Sequence, residues 1–180
     1  MNIQYALSAL LAALILLVSN AQANLGDTGL QSENRYGRAF YTAKTPSGIM
    51  RSYRTLDGKY LVQQMFTTED VVEMVCYIKI VNDSYAPLPF SSSEIDGLRI
   101  ANISRETTFP EACLPLASQA ANEKVWKSDD GKFYIDIGTL SAKDCPFGVT
   151  LDCVVFSTGP GYDNLQRLIN TTKTTDHLQS

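Results

Sequence analysis

Val71-Val72-Glu73-Met74-Val75-Cys76-Tyr77-Ile78-Lys79-Ile80-Val81 is the longest run of strand-forming residues outside the N-terminus. Side chains alternate between faces along a strand, so Val72, Met74, Cys76, Ile78 and Ile80 share one apolar face. The other face sets Glu73, Tyr77 and Lys79 among valines and suits water or a second layer. Asn82-Asp83-Ser84 ends the run with turn chemistry. The reading is a central strand on which the rest of the chain is assembled.

Two hairpins flank it in sequence. Ile49–Leu56 and Lys59–Phe66 surround Asp57-Gly58, a pair that favours a two-residue type I′ turn because both positions need positive φ. That register sets Tyr53 opposite Val62, Tyr60 opposite Thr55 and Ile49 opposite Phe66, with Met50 and Met65 on the reverse side. Asp130-Gly131 similarly joins Val125–Ser128 to Lys132–Ile137 and sets Trp126 opposite Ile135. The fragments Asp57-Gly-Lys-Tyr-Leu-Val62 and Asp130-Gly-Lys-Phe-Tyr-Ile135 look alike, and each precedes a strand carrying a Cys, so two half-domains are conceivable.

Further strands are expected at Arg38–Thr42, Leu98–Ile103 and Val149–Ser157, and one or two helical turns at Pro115–Asn122. Asp163 is placed to cap a short C-terminal helix, with Gln166 as its capping-box partner. Many short strands with brief connections imply a mainly β domain, an antiparallel β-sandwich, with a β-barrel as the alternative. The expected organisation is a signal peptide over 1–23, a flexible leader over 24–35, one β-rich domain over 36–169 and a disordered tail over 170–180. The order Cys76, Trp126, Cys153 lacks the spacing of an immunoglobulin domain.

The signal-peptide reading rests on Ala6–Val18, an apolar run too short to cross about 30 Å of hydrocarbon, followed by Ala21-Gln22-Ala23, a small-x-small cleavage pattern. Cleavage there leaves Asn24 as the first residue and no later membrane span. The expected location is therefore secreted or periplasmic. Four cysteines in an exported chain are expected to form two disulfides: Cys76–Cys153 with Cys113–Cys145 nested inside, or else Cys145–Cys153 with Cys76–Cys113. Asn82, Asn102 and Asn170 begin N-x-S/T sequons and are candidate glycosylation sites.

The formal charge of −4 is unevenly spread. Asn24–Tyr60 holds six basic and three acidic residues, whereas the chain from Leu61 holds nine basic and sixteen acidic. Neither half carries the dense basic stripe of a nucleic-acid surface. No C-x-x-C occurs and His177, the one histidine, is near the end of the chain, so neither a zinc site, a redox motif nor a His-dependent nucleophile is expected. Asp129, Asp130, Asp136, Asp144 and Asp152 are plentiful enough for a carboxylate pair, but Asp130 serves a turn. Asp129-Asp130-Gly131 does not fit a calcium loop, because the first and twelfth ligand positions would be Trp126 and Ile137.

These features point to an exported, non-catalytic binding domain without metal or cofactor, its partner a protein or glycan surface. Tyr85, Leu88 and Phe90, in a proline-stiffened segment, are the candidate binding residues. The alternative is a carrier of a small apolar ligand in a barrel or sandwich cavity lined by Tyr53, Tyr60, Phe66, Trp126 and Phe133; a carboxylate-dependent hydrolase ranks below both.

Overall fold

The structure, a computed structural model, describes residues 25–46, 48–80, 89–103, 106–109, 124–140 and 151–176. The signal-peptide region, the Pro115–Asn122 turns, Tyr85, Leu88, Asn82, Cys113, Cys145, Asp144 and His177 lie outside them.

Seven strands form one antiparallel sheet: β1 (Tyr41–Thr45), β2 (Gly48–Arg54), β3 (Tyr60–Phe66), β4 (Val72–Lys79), β5 (Lys124–Lys127), β6 (Phe133–Leu140) and β7 (Leu151–Thr158). Their spatial order is β1-β2-β3-β4-β7-β6-β5, so β4 occupies the middle, as its composition implies. The sheet stays open, which replaces both the sandwich and the barrel. Its second layer is helical, with α1 (Gly29–Tyr36), α2 (Ser92–Asn102) and α3 (Gly159–Asp176).

One face carries Tyr53, Val62, Phe66, Val75, Tyr77, Ile135, Val154 and Phe156, covered by Tyr36 of α1 and by Ile95 and Leu98 of α2. The opposite face carries Leu61, Met65, Met74, Cys76, Ile78, Cys153 and Val155, with Leu165 of α3 packed on it. Val72 departs from the expected alternation. A bulge at the Met65/Phe66 register shift sets Val72 opposite Phe66 and turns it into the first face.

Three other expectations change. Leu98–Ile103 belongs to a helix rather than a strand: Ser91 accepts the Glu94 amide, and Glu94 returns to the Ser91 amide. The stretch read as a flexible leader contains α1, started by the same reciprocal arrangement between Thr28 and Gln31. The C-terminal helix begins at Gly159, four residues ahead of the expected cap, and runs to Asp176 through part of the expected tail. Pro160 costs nothing there, because the first turn of a helix has no partner for its N–H.

Both hairpins keep the expected register, including Tyr53 opposite Val62 and Trp126 opposite Ile135. Their turns differ from type I′, since Gly58 and Gly131 have φ of 69° and 71° while neither aspartate has positive φ. The two turns share one hydrogen-bond scheme. Gly58 donates to the Thr55 carbonyl at 2.8 Å and Gly131 to the Ser128 carbonyl at 2.9 Å. The Thr55 and Ser128 hydroxyls donate to Asp57 and Asp130, and each aspartate accepts the amide of the following lysine but one position. With β2-β3-β4 and β5-β6-β7 meeting at β4 and β7, the two meanders are related by a pseudo-two-fold perpendicular to the sheet.

The thiols of Cys76 and Cys153 are buried and not in a disulfide. Cys76 lies opposite Val155, and Cys153 opposite Ile78. The two are thus diagonal neighbours on adjacent strands, about 7–8 Å apart at Cα, beyond ordinary disulfide reach. The expectation of a Cys76–Cys153 bridge took the two strands to face each other across a core, whereas they lie side by side in one sheet.

Candidate functional site

The exposed large apolar side chains among the described residues are Leu30, Phe40, Tyr41 and Leu56, and they belong to one half of the molecule. Phe40 and Tyr41 enter β1, where Phe40 donates to the Ser52 carbonyl and Tyr41 lies opposite Ser52. Leu56 is at the tip of the β2–β3 turn, just beyond the same end of β2. It is 80 % exposed. Turn geometry does not call for an apolar residue there: Asp129 holds the matching position in the second turn. Leu30 projects from the outer side of α1 and is 68 % exposed.

β1 is also a sheet edge, paired with β2 on one side only. The other edge, β5, is shorter, with four residues, and has exposed Lys124 and Lys127 at its ends. Arg38 ahead of β1, Lys44 toward its far end and Arg54 at the end of β2 are exposed, while Lys59 at the turn pairs with Asp57 at 3.5 Å.

The frame behind β1 is held by a polar latch. Asp70, at φ 62°, bonds the Arg51 guanidinium at 2.9 Å and accepts the Gly29 amide of α1 at 3.1 Å. Arg51 lies 4.4 Å from the centroid of the Phe66 ring. Fully buried Gln64 and Tyr53 sit beside this latch on the same face, and burial raises the Tyr53 hydroxyl pKa.

Phe90, the described member of the proposed proline-segment anchor, is half-buried. It stacks on Tyr60 at 6.0 Å and lies 5.1 Å from the Lys79 ammonium. Lys79 in turn bonds Glu94 at 2.8 Å, and this bond, with the Ser91 amide, lowers the Glu94 pKa to about 2. These contacts make Phe90 a cover for the first core. Asn102 is buried too, its amide donating to the Leu98 carbonyl at 2.7 Å and to the Tyr77 hydroxyl at 3.1 Å. A glycan on Asn102 would have to displace these contacts in the folded chain.

Asp130 is bound into its turn by Ser128 and the Lys132 amide, which lower its pKa to about 2. Asp152 accepts from Thr139 at 3.0 Å, and Asp136 is buried on β6. Glu106, Thr107, Thr108, Asp129 and Asp130 line an open cleft of about 260 Å³. Among the described residues, no three His, Cys, Asp or Glu side chains come together to hold a metal. No helix among them is long and apolar enough to cross a membrane.

No protein-family model matches the chain. No curated protein matches it, and no solved structure does so either.

Sequence reasoning missed the β1 corner. Phe40 and Tyr41 read as ordinary strand residues, and only the sheet order makes β1 an edge. The signal available in advance was Leu56, an apolar residue at a turn tip whose counterpart is Asp129.

Proposed function

We propose that this chain is an exported, non-catalytic binding domain that takes up an extended, acidic polypeptide segment along β1. The observation that carries this reading is the conjunction of a sheet edge paired on one side only with exposed Phe40, Tyr41 and Leu56 at one end. An added strand gains main-chain hydrogen bonds from the edge, and the exposed aromatics and Leu56 receive its side chains. Exposed apolar groups clustered within one region mark interaction surfaces more often than isolated ones do. The exposed Arg38, Lys44 and Arg54 favour an acidic partner and speed its approach. Export follows from the Ala6–Val18 run and the Ala21-Gln22-Ala23 site.

The test is selection from a displayed random-peptide library on wild-type protein and on a Phe40→Ser/Tyr41→Ser/Leu56→Asp variant. Acidic peptides with alternating apolar residues should be enriched on the wild type and lost on the variant, and should slow amide exchange in β1. Equal enrichment on both proteins rejects the reading. So does concentration-dependent dimerisation of the wild type that the variant abolishes, because the occupant is then a second copy of the chain. Export is checked separately by N-terminal sequencing, which should begin at Asn24.

A further inference from the structure

Buried polar atoms without a hydrogen-bond partner gather, among the described residues, where α1 meets the sheet. The Ser32 hydroxyl and both ends of the Gln64 amide are fully buried and accept or donate no bond. α1 runs above β2: a Cβ on Gly29 would strike the Arg51 guanidinium, and Tyr36 lies on Tyr53 with ring centroids 5.5 Å apart. Gln64, opposite Arg51, is the neighbour of both on β3. Ser32 lies between Gly29 and Tyr36 on the buried stripe of the helix. That stripe is poor in apolar surface. Leu30 is exposed, so Tyr36 is the large apolar side chain that α1 buries.

The anchors of α1 lie at its N-terminal end. Gly26 donates to the Val72 carbonyl and Val72 to the Asp27 carbonyl, each at 2.8 Å. Gly29 donates to the Asp70 carbonyl at 3.2 Å and to its carboxylate at 3.1 Å. Asp70 holds that position at a left-handed φ of 62°, which is costly for a residue with a side chain. At the other end Tyr36 is followed by Gly37 at φ 80°, and glycine changes backbone conformation at little cost.

We propose that α1 is a lid. Its Ser32–Tyr36 end swings away about the Gly26–Gly29 anchor and the Gly37 hinge, baring Tyr53 and Gln64 while the sheet stays folded. Closing buries the Tyr36 ring but leaves the Ser32 and Gln64 groups without the bonds that water gives them, so the two states lie close in free energy. The opened patch sets a carboxamide and a phenol beside the Arg51 guanidinium, a mixture of donors and acceptors that orients a polar ligand. The lid controls access to this patch and does not depend on the β1 reading.

The test is native-state hydrogen exchange on the full chain. Amides of Glu33–Tyr36 should exchange through a local opening, nearly independent of dilute urea and well ahead of those in β3 and β4. Gln64→Met keeps much of the side-chain volume and removes the unpaired groups, so it should slow exchange in α1 by about tenfold. It acts from the sheet and leaves helix propensity unchanged. Ser32→Ala should act in the same direction and serves if Gln64→Met disturbs folding. Asp70→Asn tolerates the left-handed backbone but loses the charge, and should speed exchange in α1 without changing that in β3. Exchange of α1 together with β3 and β4, through global unfolding, overturns the proposal. Unchanged or faster α1 exchange in Gln64→Met also overturns it, because the buried amide then has partners in the closed state.

Discussion

Asn164 of α3 donates its side-chain amide to the Glu73 carboxylate across 2.9 Å. Glu73 sits at the bulge in β4 and is only 5 % exposed, so this bond anchors the last helix to the irregular point of the central strand. Asn164→Ala removes the donor and leaves a buried acceptor short of one bond. The expected loss is about 1–3 kcal/mol, read from urea unfolding. An unchanged midpoint would show that water replaces the amide without cost.

Two glycines at the start of α3 should respond in opposite ways. A Cβ on Gly161 would stand 2.3 Å from the Glu73 carbonyl oxygen, whereas one on Gly159 would be 4.0 Å from its nearest neighbour, the Gly131 oxygen. Gly161→Ala is expected to destabilise by about 1–3 kcal/mol through overpacking. Gly159→Ala should be neutral or slightly stabilising. Parallel melts of the two variants check the ordering, and the reverse order would contradict the close approach of α3 to β4.

Acid sensitivity should be traceable to Glu94. Its hydrogen bond from Lys79, and next the Ser91 amide, hold its pKa near 2 against an ordinary 4.5. The folded state therefore takes up this proton later than the unfolded chain does. The resulting stability is present in full above the unfolded value and is lost as pH falls from about 4.5 toward 2. Glu94→Gln should flatten that part of the stability–pH curve. At the alkaline end, burial first and the Glu94 carboxylate second push the Tyr60 hydroxyl up to about 12. Stability should then decline as pH rises from about 10 toward 12, and Tyr60→Phe should remove that decline. A Glu94→Gln curve parallel to the wild type's below pH 4.5 would dismiss the assignment.

Burial of Asn102 makes a prediction about modification. Secreted from a eukaryotic host, the protein should carry no glycan at Asn102, even though its sequon is complete. Glycopeptide mapping decides the point, and an occupied Asn102 would require α2 to form differently.

Cys76 and Cys153 should react slowly with alkylating agents in the native protein and rapidly once it is unfolded. Non-reducing peptide maps should contain no Cys76–Cys153 peptide. Detection of that peptide would place β4 and β7 in a different register.

How much of this was legible in advance depends on the range of the signal. The apolar length of Val72–Ile80 identified the middle strand, and the Asp-Gly pairs fixed both hairpin registers, because those cues are local. The capping boxes Thr28-x-x-Gln31 and Ser91-x-x-Glu94 were equally local. The second would have outweighed the partial alternation of Leu98, Ile100 and Ile103, which suits a helix as well as a strand. The nature of the second layer was not legible: strands apolar on both faces ask for a cover but do not say whether it is sheet or helix. The candidate site needed longer-range information. That β1 is an edge follows only from the order of all seven strands.

The pseudo-symmetric meanders also bear on how fast the molecule assembles. Within each, pairing joins strands close in sequence and can proceed early. The ladder that unites them sets Met74 opposite Ser157 and Ile78 opposite Cys153, partners roughly eighty residues apart, so loop-closure entropy must be overcome before those contacts form. The seam between β4 and β7 is thus the expected kinetic bottleneck. Val75→Ala, on that seam, should slow refolding in stopped-flow experiments, whereas Gly58→Ala, in the first turn, should chiefly change the unfolding limb of the chevron.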